Sequence, residues 1–122
     1  MRHEKGQSLV EMALILPLIL LMLAIALDIG RAMVVYMNVV HAAREASWVA
    51  SQPYGTVGAA QGAALIALAD AGLNPSQARI TVTIHSTGQP VQATIMYSYE
   101  PLMPILPIGP IEIRATETAV RW

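Results

Sequence analysis

Residues 6–28, GQSLVEMALILPLILLMLAIALD, decide how this chain is built. From Met12 to Leu27 sixteen consecutive residues carry no charge and no amide side chain. As a helix that run spans about 24 Å, and Leu9 and Val10 extend it to the roughly 30 Å of a bilayer core if Glu11 is tolerated. A soluble helix apolar on every side needs a protein core on every side, and the roughly 95 residues that follow are few to build one. The run therefore reads as a transmembrane helix. Arg2, Lys5 and the amino terminus precede it against Glu4 alone, so the leader is expected to stay in the cytoplasm and the bulk of the chain to lie outside. A cleaved secretory signal competes, because Ala24-Ile25-Ala26 matches a small-x-small peptidase site. Against it, Glu11 interrupts the apolar stretch such a signal wants, and the helical pattern continues beyond Ala26.

Length and composition narrow the classes. The chain has 122 residues, 55% of them hydrophobic, which suits one long apolar element and one small domain. Seven basic residues stand against eight acidic ones, and Arg31, Arg44, Arg79, Arg114 and Arg121 are scattered. A surface that neutralises phosphates needs clustered Lys and Arg, so nucleic acid is not an expected partner. Cysteine is absent, which excludes disulfides, thiolate metal sites and a cysteine nucleophile.

After Asp28 no proline appears until Pro53, and Met33, Tyr36, Met37, Val40, Ala43 and Trp48 suggest one apolar helical face. Continuous with the membrane run, this predicts a helix from about Ser8 to about Ser51, kinked at Pro17, which lacks a backbone N–H. Asp28 and Arg31, three apart, can pair just outside the lipid. Gln52-Pro53-Tyr54-Gly55 breaks the helix. Residues 56–73 then read as a second helix closed by Gly72 and Asn74-Pro75, with small residues Gly58, Ala59, Gly62, Ala63 and Ala67 available to meet the first helix. Beyond Ser76 the period changes to two. Ile80, Val82 and Ile84 form one strand face, and Val91, Ala93, Ile95, Tyr97 and Tyr99 the next, joined by a hairpin through residues 86–90. Ile111, Ile113 and Ala115 begin a third strand. Between the last two, PLMPILPIGP has four prolines in ten residues and is expected to be an extended loop, with Leu102, Met103, Ile105, Leu106 and Ile108 covering the core or meeting a partner. The predicted fold class is α+β: a long N-terminal transmembrane helix continuing into a small head, where a second helix packs on a three-stranded antiparallel β-meander.

Little chemistry is on offer. His3, His41 and His85 have no ligand spacing to a carboxylate, and no nucleophile elbow, phosphate loop or dinucleotide fingerprint occurs. Asp70, Glu100, Glu112 and Glu117 are expected singly on solvent faces. No catalytic residue, cofactor, metal or small-molecule substrate is indicated, and the reading is of a structural protein rather than an enzyme. A bitopic or secreted binding module is the alternative.

Gly6-Gln7-Ser8-Leu9-Val10-Glu11, a basic leader ending in glycine with glutamate five residues on, resembles the class III signal of type IV prepilins. Residues 6–47 resemble the TadE-like pseudopilins of tight-adherence (Flp) pilus systems more widely, including Leu16-Pro17, Asp28-Ile29-Gly30-Arg31 and Ala42-Ala43-Arg44-Glu45, and residues 91–122 are similar to that family's ending. The resemblance implies a pilin-like fold divided into a leader at 1–6, a transmembrane and assembly helix at 7–27 and an extracytoplasmic head at 28–122. It implies cleavage between Gly6 and Gln7 by a prepilin peptidase, with Glu11 the fifth residue of the processed chain; beside it, the cost of a carboxylate in the apolar zone suggests that Glu11 pairs with the new α-amino group and sets axial register between subunits. It marks Asp28, Arg31, Arg44 and Glu45 as helix-interface candidates. Implied partners are that peptidase, other pilins and pseudopilins, the Tad assembly machinery and the membrane. The sizeable head favours a minor or pseudopilin role over that of the much shorter major pilins.

Overall fold

The computed structural model describes residues 2–102 and 109–122, with side chains described from residue 6 onward. The element order is α1 (Arg2–Ser51), α2 (Val57–Asp70), a 3₁₀ turn (Pro75–Gln77), then β1 (Ala78–Thr83), β2 (Pro90–Tyr99) and β3 (Ile111–Val120). The strands form an antiparallel meander in the order β1-β2-β3, with Ile80 opposite Ile95 and Ile95 opposite Ala115. Both helices cover one face of this sheet, so the predicted α+β architecture is the one observed. Residues 103–108 of the proline-rich segment, including Met103, Ile105, Leu106 and Ile108, lie outside the described residues.

α1 runs 50 residues and passes through Pro17 as one helix. Its outer half packs through small residues. Val39, Ala42, Ala43, Ala46 and Ala50 are fully buried, against Ala60, Ala64 and Leu68 of α2 and Val91, Ala93, Ile95, Tyr97 and Tyr99 of β2. Short side chains bring the helix backbone close to its neighbours, and the bulk in the seam comes from the other side, chiefly Leu68 and Ile95. This corrects the expected face. Of its members only Ala43 and, partly, Val40 turn inward, whereas Met33, Tyr36, Met37 and Trp48 are exposed. The stripe on α2 is also displaced: Ala60, Ala64 and Leu68 meet the core, while a Cβ added at Gly58 or Gly62 would touch nothing.

Local chemistry ends each element where the pattern suggests. Thr56 caps α2, accepting from the Ala59 N–H at 3.1 Å. Its other end is a Schellman closure: Leu73 N–H reaches Leu68 C=O at 2.9 Å, Gly72 N–H reaches Ala69 C=O at 3.0 Å, and Gly72 takes φ +77°. The connection from α1 to α2 is equally demanding. At Gly55 an added Cβ would collide with the Val49 carbonyl oxygen and lie 2.8 Å from that of Ala50, so the chain turns over the end of α1 only because no side chain is there. At the far side of the sheet the Trp122 N–H donates to Ser51 C=O at 3.1 Å, tying the end of β3 to the end of α1.

Two glycine substitutions should therefore act in opposite directions. Gly55→Ala should destabilise the head by about 2 kcal/mol or more, because the obstacle is backbone. Gly62→Ala, within α2 and facing open space, should stabilise it by about 0.5–1 kcal/mol. Urea unfolding of the full chain in detergent micelles, followed by near-UV circular dichroism of the buried Tyr97 and Tyr99, measures both.

Candidate functional site

The most unusual surface is the first half of α1. An 18-residue window there has mean hydropathy 2.7, and none of it is buried by the rest of the protein. Leu14 is 72% exposed and Leu18 58%. Leaving such side chains in water costs about 1.5–3 kcal/mol each, so a run of them requires lipid or another apolar partner. This overturns the soluble-core alternative for the run, since no core surrounds it.

Gly6, Gln7 and Glu11 lie in the opening turns of α1, and Gln7 and Glu11, four apart, share a face. A Cβ added at Gly6 would meet nothing within 4 Å, so the fold itself makes no demand for glycine at that position. Glu11 is exposed, between Val10 and Met12, in otherwise apolar surroundings.

The helix-interface candidates occupy the junction between stem and head. The Asp28 carboxylate accepts the Leu102 N–H at 3.1 Å, just past the end of β2. Arg31, one turn on, lies over the ring of Tyr99 at 6.0 Å, the outer limit of a cation–π contact. Tyr99 is 5% exposed, and its hydroxyl is buried without a hydrogen-bond partner. Arg44 reaches Glu117 of β3 at 3.7 Å. Glu45 instead faces α2, where it lines an open cleft of about 570 Å³ with His41, Ala63, Ile66, Ala67 and Asp70. Three of the four thus bind the helix to the strands of its own head. Glu117 had been expected on the solvent face. Continuing the alternation of Ile113 and Ala115 by one step places it on the helix-facing side, a signal present in the spacing but masked by its charge.

Among the described residues no group of three or more His, Asp or Glu side chains could hold a metal ion. The site defined by the structure is one of anchoring and packing.

Fold and surface together define a class: a small α+β head on one long apolar helix that fits a membrane anchor. Residues 6–48 match the model of the family described as TadE-like protein. Over that segment, about a third of its length, the chain is similar to TadE-like proteins. No curated protein and no solved structure matches. The matched segment contains the stem and all seven residues singled out above, and stops three residues before the end of α1.

The Arg44–Glu117 pair offers a measurement of how the stem is held. The Arg44 side chain is 69% exposed and that of Glu117 31%, so water screens much of the attraction. A double-mutant cycle with Arg44→Ala and Glu117→Ala, read by urea unfolding in micelles, should give a coupling below about 1 kcal/mol.

Proposed function

We propose that this chain is a membrane-anchored pseudopilin: a structural subunit or assembly factor of a tight-adherence type IV pilus, contributing to adhesion, surface attachment and biofilm formation. Residues 1–6 act as a prepilin leader, residues 7–27 as the transmembrane and assembly helix, and residues 28–122 as an extracytoplasmic head. The leader stays cytoplasmic, in keeping with Arg2 and Lys5 ahead of the apolar run. A prepilin peptidase cuts between Gly6 and Gln7, after which the helix can pass from the inner membrane into a pilus, among other pilins and the Tad machinery. No catalytic activity is proposed.

The observation that carries this reading is the bare stem joined to a glycine the fold does not need. A helix uncovered over a full membrane-spanning window must find its surroundings elsewhere. Gly6 has open space where a side chain would be, so packing does not account for it, and a peptidase site that admits only a minimal side chain would.

Glu11 supplies the assembly step. A carboxylate in the apolar zone costs up to a few kcal/mol unless it is paired, and cleavage creates a positive α-amino group on Gln7, one turn away along the helix. Pairing with that amine, on its own or a neighbouring subunit, favours one axial register over its alternatives.

Amino-terminal sequencing of the protein recovered from cells carrying the prepilin peptidase tests the first half. A start at Gln7 is expected, with Gly6→Leu left uncut; a start near Leu27, or an intact Met1 in the wild-type chain, would sink the processing claim. For the second half, Glu11→Ala should still be cleaved and remain in the membrane. It should enter the sheared pilus fraction about tenfold less, the equivalent of about 1.4 kcal/mol of lost pairing. Wild-type incorporation of that variant would remove the register role.

A further inference from the structure

We infer that the head rests on the bilayer, with the exit of β2 and the start of β3, Leu102 and Ile111, entering the interfacial zone beside α1. The inference rests on the reading of residues 7–27 as a membrane span and adds a second point of lipid contact to it. Three observations carry it. Asp28 is the first charged residue after the apolar run, so it marks the level at which α1 leaves the hydrocarbon. Its carboxylate holds the Leu102 N–H at 3.1 Å, which puts Leu102 at that same level rather than higher on the head. Arg31, a single turn above, lies over Tyr99, and Tyr99 is the register partner of Ile111, so the start of β3 is at this level too.

The side chains presented there suit lipid. Leu102 is 67% exposed, and Ile111, although its strand parity points to the helices, is 43% exposed because the core has ended. The carboxylates nearest to this end, Glu100 and Glu112, are exposed, and Glu112 belongs to the opposite sheet face from Ile111, so that face marks the water side of the boundary. The opposite pole of the head is different in kind. There the turn at residues 86–89, bonded from Gln89 N–H to Ser86 C=O and from Gly88 N–H to Arg121 C=O, is entirely exposed and polar. That pole lies near the Ser51 end of α1, about 35 Å along the helix from Asp28.

Because the chain contains no cysteine, nitroxide labels can be placed one at a time without background. Leu18→Cys, Leu102→Cys, Ile111→Cys and Thr87→Cys would be labelled in the full chain and reconstituted at low protein density in phosphatidylcholine–phosphatidylglycerol vesicles. Collision with oxygen and with a water-soluble nickel chelate then gives the depth of each label. Near-UV circular dichroism of Tyr97 and Tyr99 checks that every variant is folded. The label at 18 should lie in the hydrocarbon, those at 102 and 111 about 5–10 Å into the headgroup and acyl boundary, and that at 87 in water. If the label at 18 is in lipid but those at 102 and 111 are as accessible to nickel as that at 87, the head stands clear of the bilayer and the inference fails alone. Shielding of 102 and 111 from both reagents would assign this surface to a protein contact and also overturn it. A label at 18 open to nickel would remove the membrane span, and this inference with it.

Discussion

One helix has to serve two solvents. The first half of α1 is apolar around its whole circumference and uncovered, and the second half, without a break in the backbone, buries one narrow side against a protein core. The rest of the fold follows from keeping that helix continuous while changing what surrounds it. A head built on a separate axis would need a linker; this one is packed directly on the helix that anchors it.

The junction is where the two regimes meet, and its chemistry is suited to that position. Asp28 and Arg31 do not simply solvate the helix as it leaves the apolar zone; they reach sideways to the end of β2, by a charged hydrogen bond and a ring contact. At the far end, Ser51 accepts from Trp122 and Arg44 meets Glu117, so the outer half of α1 is tied to the head at both of its ends as well as along its length. Individually these links are modest, since most are partly in water. The burial of Val39, Leu68, Val91 and Ile95 provides most of the stability.

Large parts of this arrangement were legible in advance. The change of period from about four to two gave the boundary between helices and strands, Gly72 with Asn74-Pro75 gave the end of α2, and the segment at 86–90 gave the hairpin. The misreadings share one cause. Sequence patterns weight large apolar residues, so Met33, Tyr36, Met37 and Trp48 looked like the core face of α1, and glycines looked like the contact stripe of α2. In the structure small residues mark the closest approach, and the bulky side chains of α1 point away from the head. Glu117 was misassigned for the related reason that a charge was taken to mean solvent, although its parity aligned it with Ala115.

The sequence by itself determined the apolar stem, its length, the basic leader before it, the glycine and glutamate at its start, and the alternation that makes three strands. These are properties of local composition and period, which a chain carries whether or not it is folded. Only the tertiary structure decided which side of α1 faces the sheet, that Asp28 is bonded to Leu102 at a separation of 74 residues, and that the end of β2 comes down to the level where the helix leaves the apolar zone. Those outcomes depend on how closely backbones can approach across alanines and on the register of strands far apart in the chain, and neither is written in any single segment.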